Sequence, residues 1–257
     1  MSVLMAGFLG SLAAGMCTSL GAVPALIFGR LSERAESLML GFAAGVMLAA
    51  SVFSLILPGL DAASVISDSE AGRAFVAVAG ILLGALAVWT IHNFAPHEHF
   101  IAGPEGADPK DLARIWLFVI AITLHNFPEG MAVGVGFGTG DMDNGQALAL
   151  GIGIQNIPEG LAVAAALLTQ GYSRLHAFFV ASLTGLVEPI GGLFGASVVT
   201  ISEAVLPWGL TFAAGAMLWV ISDEIIPETH RRGVATFGTA GIMIGFVAMM
   251  YLDVTLG

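Results

Sequence analysis

Two hexapeptides, His125-Asn126-Phe127-Pro128-Glu129-Gly130 and Gln155-Asn156-Ile157-Pro158-Glu159-Gly160, stand thirty residues apart, each inside an apolar run. Their residue types suit a cation cage. His125 and Glu129 are four residues apart, as are Gln155 and Glu159, so on helices each pair projects from one face. Two such faces turned toward one point supply mixed nitrogen and oxygen donors. Two carboxylates also neutralise one divalent cation, which makes a dehydrated ion tolerable in a low dielectric. Asn126 and Asn156 sit about 100° further round each helix, within reach of an adjacent position. Glu188, in "GLVEPIGG", adds a third carboxylate. A second ion position sharing Glu129 and Glu159 and completed by Asn126, Asn156 and Glu188 is sterically reasonable, because bridged ions lie about 3.5–4 Å apart. Pro128 and Pro158 cannot donate to the carbonyls of Leu124 and Ile154, so each frees an oxygen beside the cage. A lone proline would be an ordinary membrane-helix kink; the proline–glutamate pairing, repeated, favours the site.

The elements that must position these residues follow from composition. The chain has 257 residues, of which 57% are hydrophobic and 11% charged, with a mean hydropathy of +0.91. A soluble domain carries roughly 25% charged residues, so too little polar surface remains to cover a globule in water. The expected fold is an all-α integral membrane protein forming one domain over residues 1–257. Eight apolar segments, each near the roughly 20 residues a crossing needs, run over about 3–28, 37–58, 74–94, 113–136, 145–168, 176–199, 207–226 and 234–253. Met47, His125, Asn156 and Glu188 then fall near the middle of spans 2, 4, 5 and 6, at one depth, where secondary transporters bind substrate. Spans 4 and 5 run antiparallel, so a motif repeated on them is an inverted repeat.

Charge sets the orientation. Arg30, Arg34, Lys110, Arg114, Arg174, Arg231 and Arg232 fall in or beside the loops after spans 1, 3, 5 and 7, and only Arg73 lies opposite. The positive-inside bias makes those loops cytoplasmic and puts both termini outside. The longest loop, about 95–112, bears His97 and His99 and is cytoplasmic on this reading. Asp223 and Glu224 lie near the inner end of span 7 ("SDEIIPETH"). Ionisable groups at bilayer depth cost about 2.5–3.5 kcal/mol on insertion scales, so a structural role for all of them together is a poor explanation.

Several functions are disfavoured. The net charge of −11 argues against a nucleic-acid partner. Cys17 is the only cysteine and Lys110 the only lysine, so a disulfide within the chain and a Walker A loop are both absent. No HExxH stands in the sequence, which removes the usual signature of an intramembrane metalloprotease. A passive channel for divalent cations or protons stays open beside a secondary transporter. Met47 is by residue type ordinary core packing; as a ligand its thioether would favour softer ions. "PHEHF" is either a loop metal trap or a solvated polar loop.

With "HNFPEG" and "QNIPEG" at this spacing, and with "VEP" and "EIIPETHRRG" further on, the sequence resembles the ZIP family of divalent-metal transporters, its bacterial GufA-like branch in particular, over essentially the whole chain. The resemblance implies a ZIP-type fold of eight transmembrane helices with an inverted repeat, in the bacterial inner membrane. It implies no enzyme activity and no cofactor. The transported substrate would be Zn²⁺, with Cd²⁺, Fe²⁺ and Mn²⁺ as alternatives, imported by alternating access through a binuclear site. By matching positions, one ion would meet Met47, His125, Glu129, Gln155 and Glu159, and the other Asn126, Glu129, Asn156, Glu159 and Glu188. Asp61 and Asp253 match an outer entrance pair; Asp223, Glu224, His97 and His99 resemble an inner exit relay. The implied partners are the metal, the lipid bilayer and, as in many members, a second copy in a homodimer. Asn156 stands where close relatives often carry Asp, and Asp223 where a His is common. The first removes a charge from the second position; the second replaces a soft exit ligand by a hard one.

Overall fold

The computed structural model describes residues 2–27, 32–94, 97–99, 103–105, 114–138, 142–169, 172–229 and 233–256. The side chains of His97, His99, His125 and Glu224 lie outside the described portion. Nearly everything described is helical. In chain order the α-helices are α1 (Val3–Ile27), α2 (Glu33–Ala50), α3 (Leu57–Ala62), α4 (Glu70–Phe94), α5 (Arg114–Gly138), α6 (Met142–Thr169), α7 (Arg174–Gly185), α8 (Glu188–Val199), α9 (Leu206–Val220), α10 (Ile226–Thr229) and α11 (Ala235–Leu256). Among the described residues six stretches are long and apolar enough to cross a membrane: Val3–Ile27, Glu33–Val65, Glu70–Ile91, Met142–Leu168, Arg174–Val199 and Ala235–Thr255. Helices satisfy every backbone group within the segment, which lipid requires.

Local chemistry starts the helices. Ser32 caps α2 by accepting from the Ala35 N–H at 3.3 Å, and Ser173 caps α7 by accepting from the His176 N–H at 3.3 Å. Glu33 and Glu36 fill the first turn of α2, complementing its dipole.

Three irregularities interrupt the long helices. Between α2 and α3 the chain makes a π-helical turn over Ser51–Ile56, and between α9 and α10 another over Ile221–Ile225. Each closes on the residue just before a proline: the Leu57 N–H bonds to Val52 O ahead of Pro58, and the Ile226 N–H to Ile221 O ahead of Pro227. A proline ring crowds the carbonyl four residues back and donates nothing to it; the wider turn accommodates it. The third irregularity separates α7 from α8 at Leu186–Val187. Pro189 gives no N–H to the Gly185 carbonyl, and the Val187 N–H bonds only three residues back, to Thr184 O at 3.4 Å.

The helices sort into two packed groups. α1 lies against α5, α6, α7 and α8, and α5 against α8; α2 lies along α11, and α4 along α9. α6 meets α2 and α11, and α5 meets α9, where the groups touch. Side chains of both groups share one core there, including Met47, Leu148, Ile152, Met217 and Met249. Apolar side chains such as Phe75, Leu82, Leu183, Ile190 and Tyr251 face outward, as a lipid-facing surface requires. Within the loop after α4, a short antiparallel hairpin pairs β1 (His97–His99) with β2 (Gly103–Glu105), His97 opposite Glu105, and β1 lies beside α5. The sequence indicated only an irregular loop there, because three-residue strands leave no periodic signal.

Candidate metal site

The two hexapeptides meet in the interior of the first helix group. α5 carries Asn126 and Glu129; α6 carries Gln155, Asn156 and Glu159; α8 begins at Glu188. All six are buried, and all but Glu159 are fully so. The Gln155 Nε2 donates to Glu129 Oε1, tying one motif to the other. The Asn156 Nδ2 donates to Glu188 Oε1 at 2.7 Å and to the Ala14 carbonyl oxygen of α1 at 2.9 Å. Glu188 lies near both Glu129 and Glu159. The cluster is thus one network reaching over four helices.

That network leaves polar atoms over. Both Asn126 side-chain polar atoms, Gln155 Oε1, Asn156 Oδ1 and Glu188 Oε2 are buried without a hydrogen-bond partner, as are Thr18 Oγ1 on α1 and Ser51 Oγ in the first π-turn. An unsatisfied buried polar atom costs about 1–3 kcal/mol, and native interiors hold few of them. The orphaned oxygens of Asn126, Gln155, Asn156 and Glu188, in one buried cluster, are candidate ligands for an ion. Among the described residues no three His, Cys, Asp or Glu side chains are drawn together tightly enough to hold an ion as they stand. The remaining donors here are amides and hydroxyls.

The glycine after each glutamate has a positional role. A Cβ on Gly130 would overlap the carbonyl of Glu188, and a Cβ on Gly160 the carbonyl of Thr18. These glycines let α5 press on the α7–α8 break and α6 press on α1, one residue beyond each carboxylate.

Glu188 falls near the middle of the apolar stretch Arg174–Val199, as expected, but the helix breaks locally there: Glu188 starts α8 just past the break, where a helix N-terminus favours negative charge. Met47 on α2 is buried, 1% exposed, in the apolar core at the seam between the groups. Ser51 follows it four residues later on the same face. Asp253 on α11 accepts a hydrogen bond from Ser54 Oγ in the π-turn, whereas Asp61 is exposed on α3. Asp223 lies in the second π-turn and helps line a cavity of about 290 Å³ with Ile81, Leu218, Trp219 and Ser222. His97 and His99 lie on β1. Sequence reasoning missed the whole contribution of α1. Its signal was present in "GSLAAGMCTSLGA", a run of small and hydroxyl residues of the kind that lines close helix contacts in membranes.

Carboxylates and amides buried between helices of membrane-spanning length mark a functional site within a membrane protein. Comparison with known sequences agrees. The pattern of the ZIP zinc transporter family matches residues 97–253. Zinc transporter GufA of Myxococcus xanthus is 47% identical over 98% of this chain and 99% of its own length. Zinc transporter ZIPB of Bordetella bronchiseptica is 49% identical over 97% of this chain and 81% of its own. Human zinc transporter ZIP11 is 33% identical, covering 93% of this chain and 94% of that protein. The chain belongs to the ZIP family, in its bacterial GufA-like branch.

Proposed function

We propose that the protein is a secondary transporter that brings divalent cations, zinc foremost, into the cytoplasm across a bacterial plasma membrane. The observation that carries this reading is the buried network linking the two proline–glutamate–glycine motifs, with the unpartnered amide oxygens of Asn126, Gln155 and Asn156 and the free Oε2 of Glu188. A cation entering it meets two or three carboxylates and needs no further counter-charge. His125, Glu129, Gln155 and Glu159, with Met47 from the facing group, form the first ion position. Asn126, Asn156 and Glu188 extend it toward a second that shares Glu129 and Glu159. Zinc accepts this mixture of nitrogen and oxygen donors, and a thioether extends the range toward softer ions such as Cd²⁺.

On this reading the helices make eight crossings with both termini outside, α5 and the α9–α10 segment supplying the two beyond the six apolar stretches. The paired motifs on α5 and α6 form an inverted repeat, which the paired π-turns before Pro58 and Pro227 also suit. Alternating access then moves the group of α1 and α5 to α8 against that of α2, α4, α9 and α11. Asp61 and Asp253 draw cations in; Asp223, Glu224, His97 and His99 receive them inside. The test is zinc uptake into proteoliposomes. Glu129→Ala and Glu159→Ala should each abolish saturable uptake while the protein remains inserted. Uptake at wild-type rate in either variant would overturn the site, and uptake that never saturates would indicate a channel.

A further inference from the structure

Thr18 on α1 is fully buried, and its hydroxyl bonds to nothing in the protein. A hydroxyl on a helix commonly donates to the carbonyl four residues back. Ser11, Thr90, Thr123, Ser182 and Thr211 all do so, at 2.6–2.8 Å. For Thr18 that carbonyl is Ala14 O, which accepts from the Asn156 Nδ2 at 2.9 Å. The Thr18 hydroxyl is turned toward α7 instead: a Cβ on Gly185 would stand 2.7 Å from Thr18 Oγ1. Gly185 ends α7, at the break before Glu188. The Glu188 carboxylate lies over the same part of α1, since a Cβ on Gly15 would stand 3.3 Å from Glu188 Oε1. Gly15 and Thr18 are neighbours on one helix face, about 4.5 Å apart along the axis. The hydroxyl thus stands about one turn from a carboxylate whose Oε2 is also buried and unpartnered. A water molecule bridges polar groups set apart in this way.

We propose that Thr18 is a further binding residue of the ion site, which holds the transported ion through one of the ion's own water ligands. The proposal rests on the transport reading above and deepens it. Zinc takes its protein ligands from thiolate, imidazole and carboxylate groups, so a neutral hydroxyl is a poor direct ligand. It is a good partner for a metal-bound water. Such a water is made acidic by the ion and needs an acceptor. The threonine oxygen has lone pairs to receive it and a hydrogen of its own to give to a carboxylate oxygen. The run from water to hydroxyl to carboxylate secures the ion from the side of α1, a helix that offers it no charged side chain. Because α1 packs with α5, α6 and α8, the contact lasts as long as the ion stays with that group.

Packing alone does not account for a hydroxyl here. A buried hydroxyl without a partner is a cost, and an apolar side chain of the same shape would fill the space without it. Valine is that side chain. If Thr18 only filled space between α1 and α7, Thr18→Val would leave ion binding as it is. If the hydroxyl serves the ion, valine keeps the shape and loses the binding.

The experiment measures zinc affinity by calorimetry on the purified full-length protein in detergent. Thr18→Val, Thr18→Ala and Thr18→Ser are compared with the wild type. Ser11→Ala is the control, because Ser11 is also buried on α1 but its hydroxyl is spent on Gly7 O of its own helix. Removing a group that orients a metal's ligands costs about 10–100-fold in affinity. Thr18→Val and Thr18→Ala should each weaken zinc binding about tenfold, at the lower end of that range, while Thr18→Ser, which keeps the hydroxyl, stays within about threefold of the wild type. Ser11→Ala should bind zinc as the wild type does. Wild-type affinity in Thr18→Val or Thr18→Ala overturns the proposal and leaves the transport reading standing. So does an equal loss in Thr18→Ser or in Ser11→Ala, which would make the effect one of helix packing. Should Thr18→Val fail to fold, the alanine and serine variants decide by the same criteria. Glu129→Ala is measured alongside: wild-type affinity there overturns the transport reading and the proposal with it.

Discussion

Gly160 offers the sharpest test of how the site is held together. A Cβ there would fall over about 1 Å inside the normal carbon–oxygen contact of ~3.3 Å, against the Thr18 carbonyl of α1. The obstacle is backbone, so no rotamer change removes it, and α6 must move away from α1. Overpacking of this kind costs about 1–3 kcal/mol, and the upper end applies when backbone must shift. Alanine returns about 1 kcal/mol through its better helix propensity. The net expectation for Gly160→Ala is a loss of about 2 kcal/mol, roughly thirtyfold in the folding equilibrium. Gly153, two turns earlier on α6, is the control: the one close approach of its Cβ would be to the Cys17 Sγ, at 3.2 Å, with the Ala14 Cα in ordinary contact at 3.6 Å. That contact is a side chain that can give way, so the propensity gain decides and Gly153→Ala should be neutral or mildly stabilising. Reversible unfolding in mixed detergent micelles measures both. Glu159 is the residue before Gly160, and a functional constellation tolerates only about 0.5 Å of displacement. Uptake by folded Gly160→Ala should therefore fall at least tenfold. Equal stability of the two variants within about 0.5 kcal/mol would refute the idea that the glycine exists for close approach.

Removing one glutamate of the pair leaves a buried cation without half its counter-charge. Glu129→Ala and Glu159→Ala should each weaken zinc binding by about 3–5 kcal/mol, the cost of breaking a buried charge pair, read by calorimetry on purified protein. Protons compete with metal for imidazole and carboxylate ligands, so uptake should fall as the medium is acidified; a rate that rises in acid would argue against His125 as a ligand. Met47→Ser removes the thioether and should lower the preference for Cd²⁺ over Zn²⁺ in competitive uptake without abolishing transport. Asp253→Asn, which removes the charge that Ser54 orients, should raise KM by about threefold at low ionic strength, where surface charge attracts cations most, and leave the maximal rate near wild type.

How much of this was legible in the sequence differs from residue to residue. The helices were, because hydropathy and length suffice once water is replaced by lipid. So was the convergence of Glu129 with Gln155, because the i, i+4 spacing on two consecutive helices leaves few other arrangements. The break ahead of Glu188 was not. Pro189 announced it, but Pro24, Pro128 and Pro158 all lie inside continuous helices, so a proline alone does not say whether its helix bends or stops. The π-turns were hidden for the same reason. Ala14 was beyond reach of any motif, since a backbone carbonyl carries no sequence signature; only the packing of α1 on α6 reveals it.

The placement of donors on the two helix groups has a physical consequence. Every carboxylate of the cluster and both asparagines lie on α5, α6 and α8, which pack with α1; of the proposed ligands only Met47 stands on the facing group. If the groups move relative to one another, the counter-charges travel with the ion, and the proposed thioether ligand is left behind. A dehydrated divalent ion in low dielectric is costly unless it is neutralised throughout, so the charged ligands have to be on the moving part. A neutral ligand can stay, because losing it changes the ion's coordination but not the net charge being carried. Met47 would then act on selection at one end of the cycle and not on passage. Its removal should accordingly shift which ion is accepted from outside while leaving efflux from preloaded vesicles unchanged, a comparison that measuring uptake alone would miss.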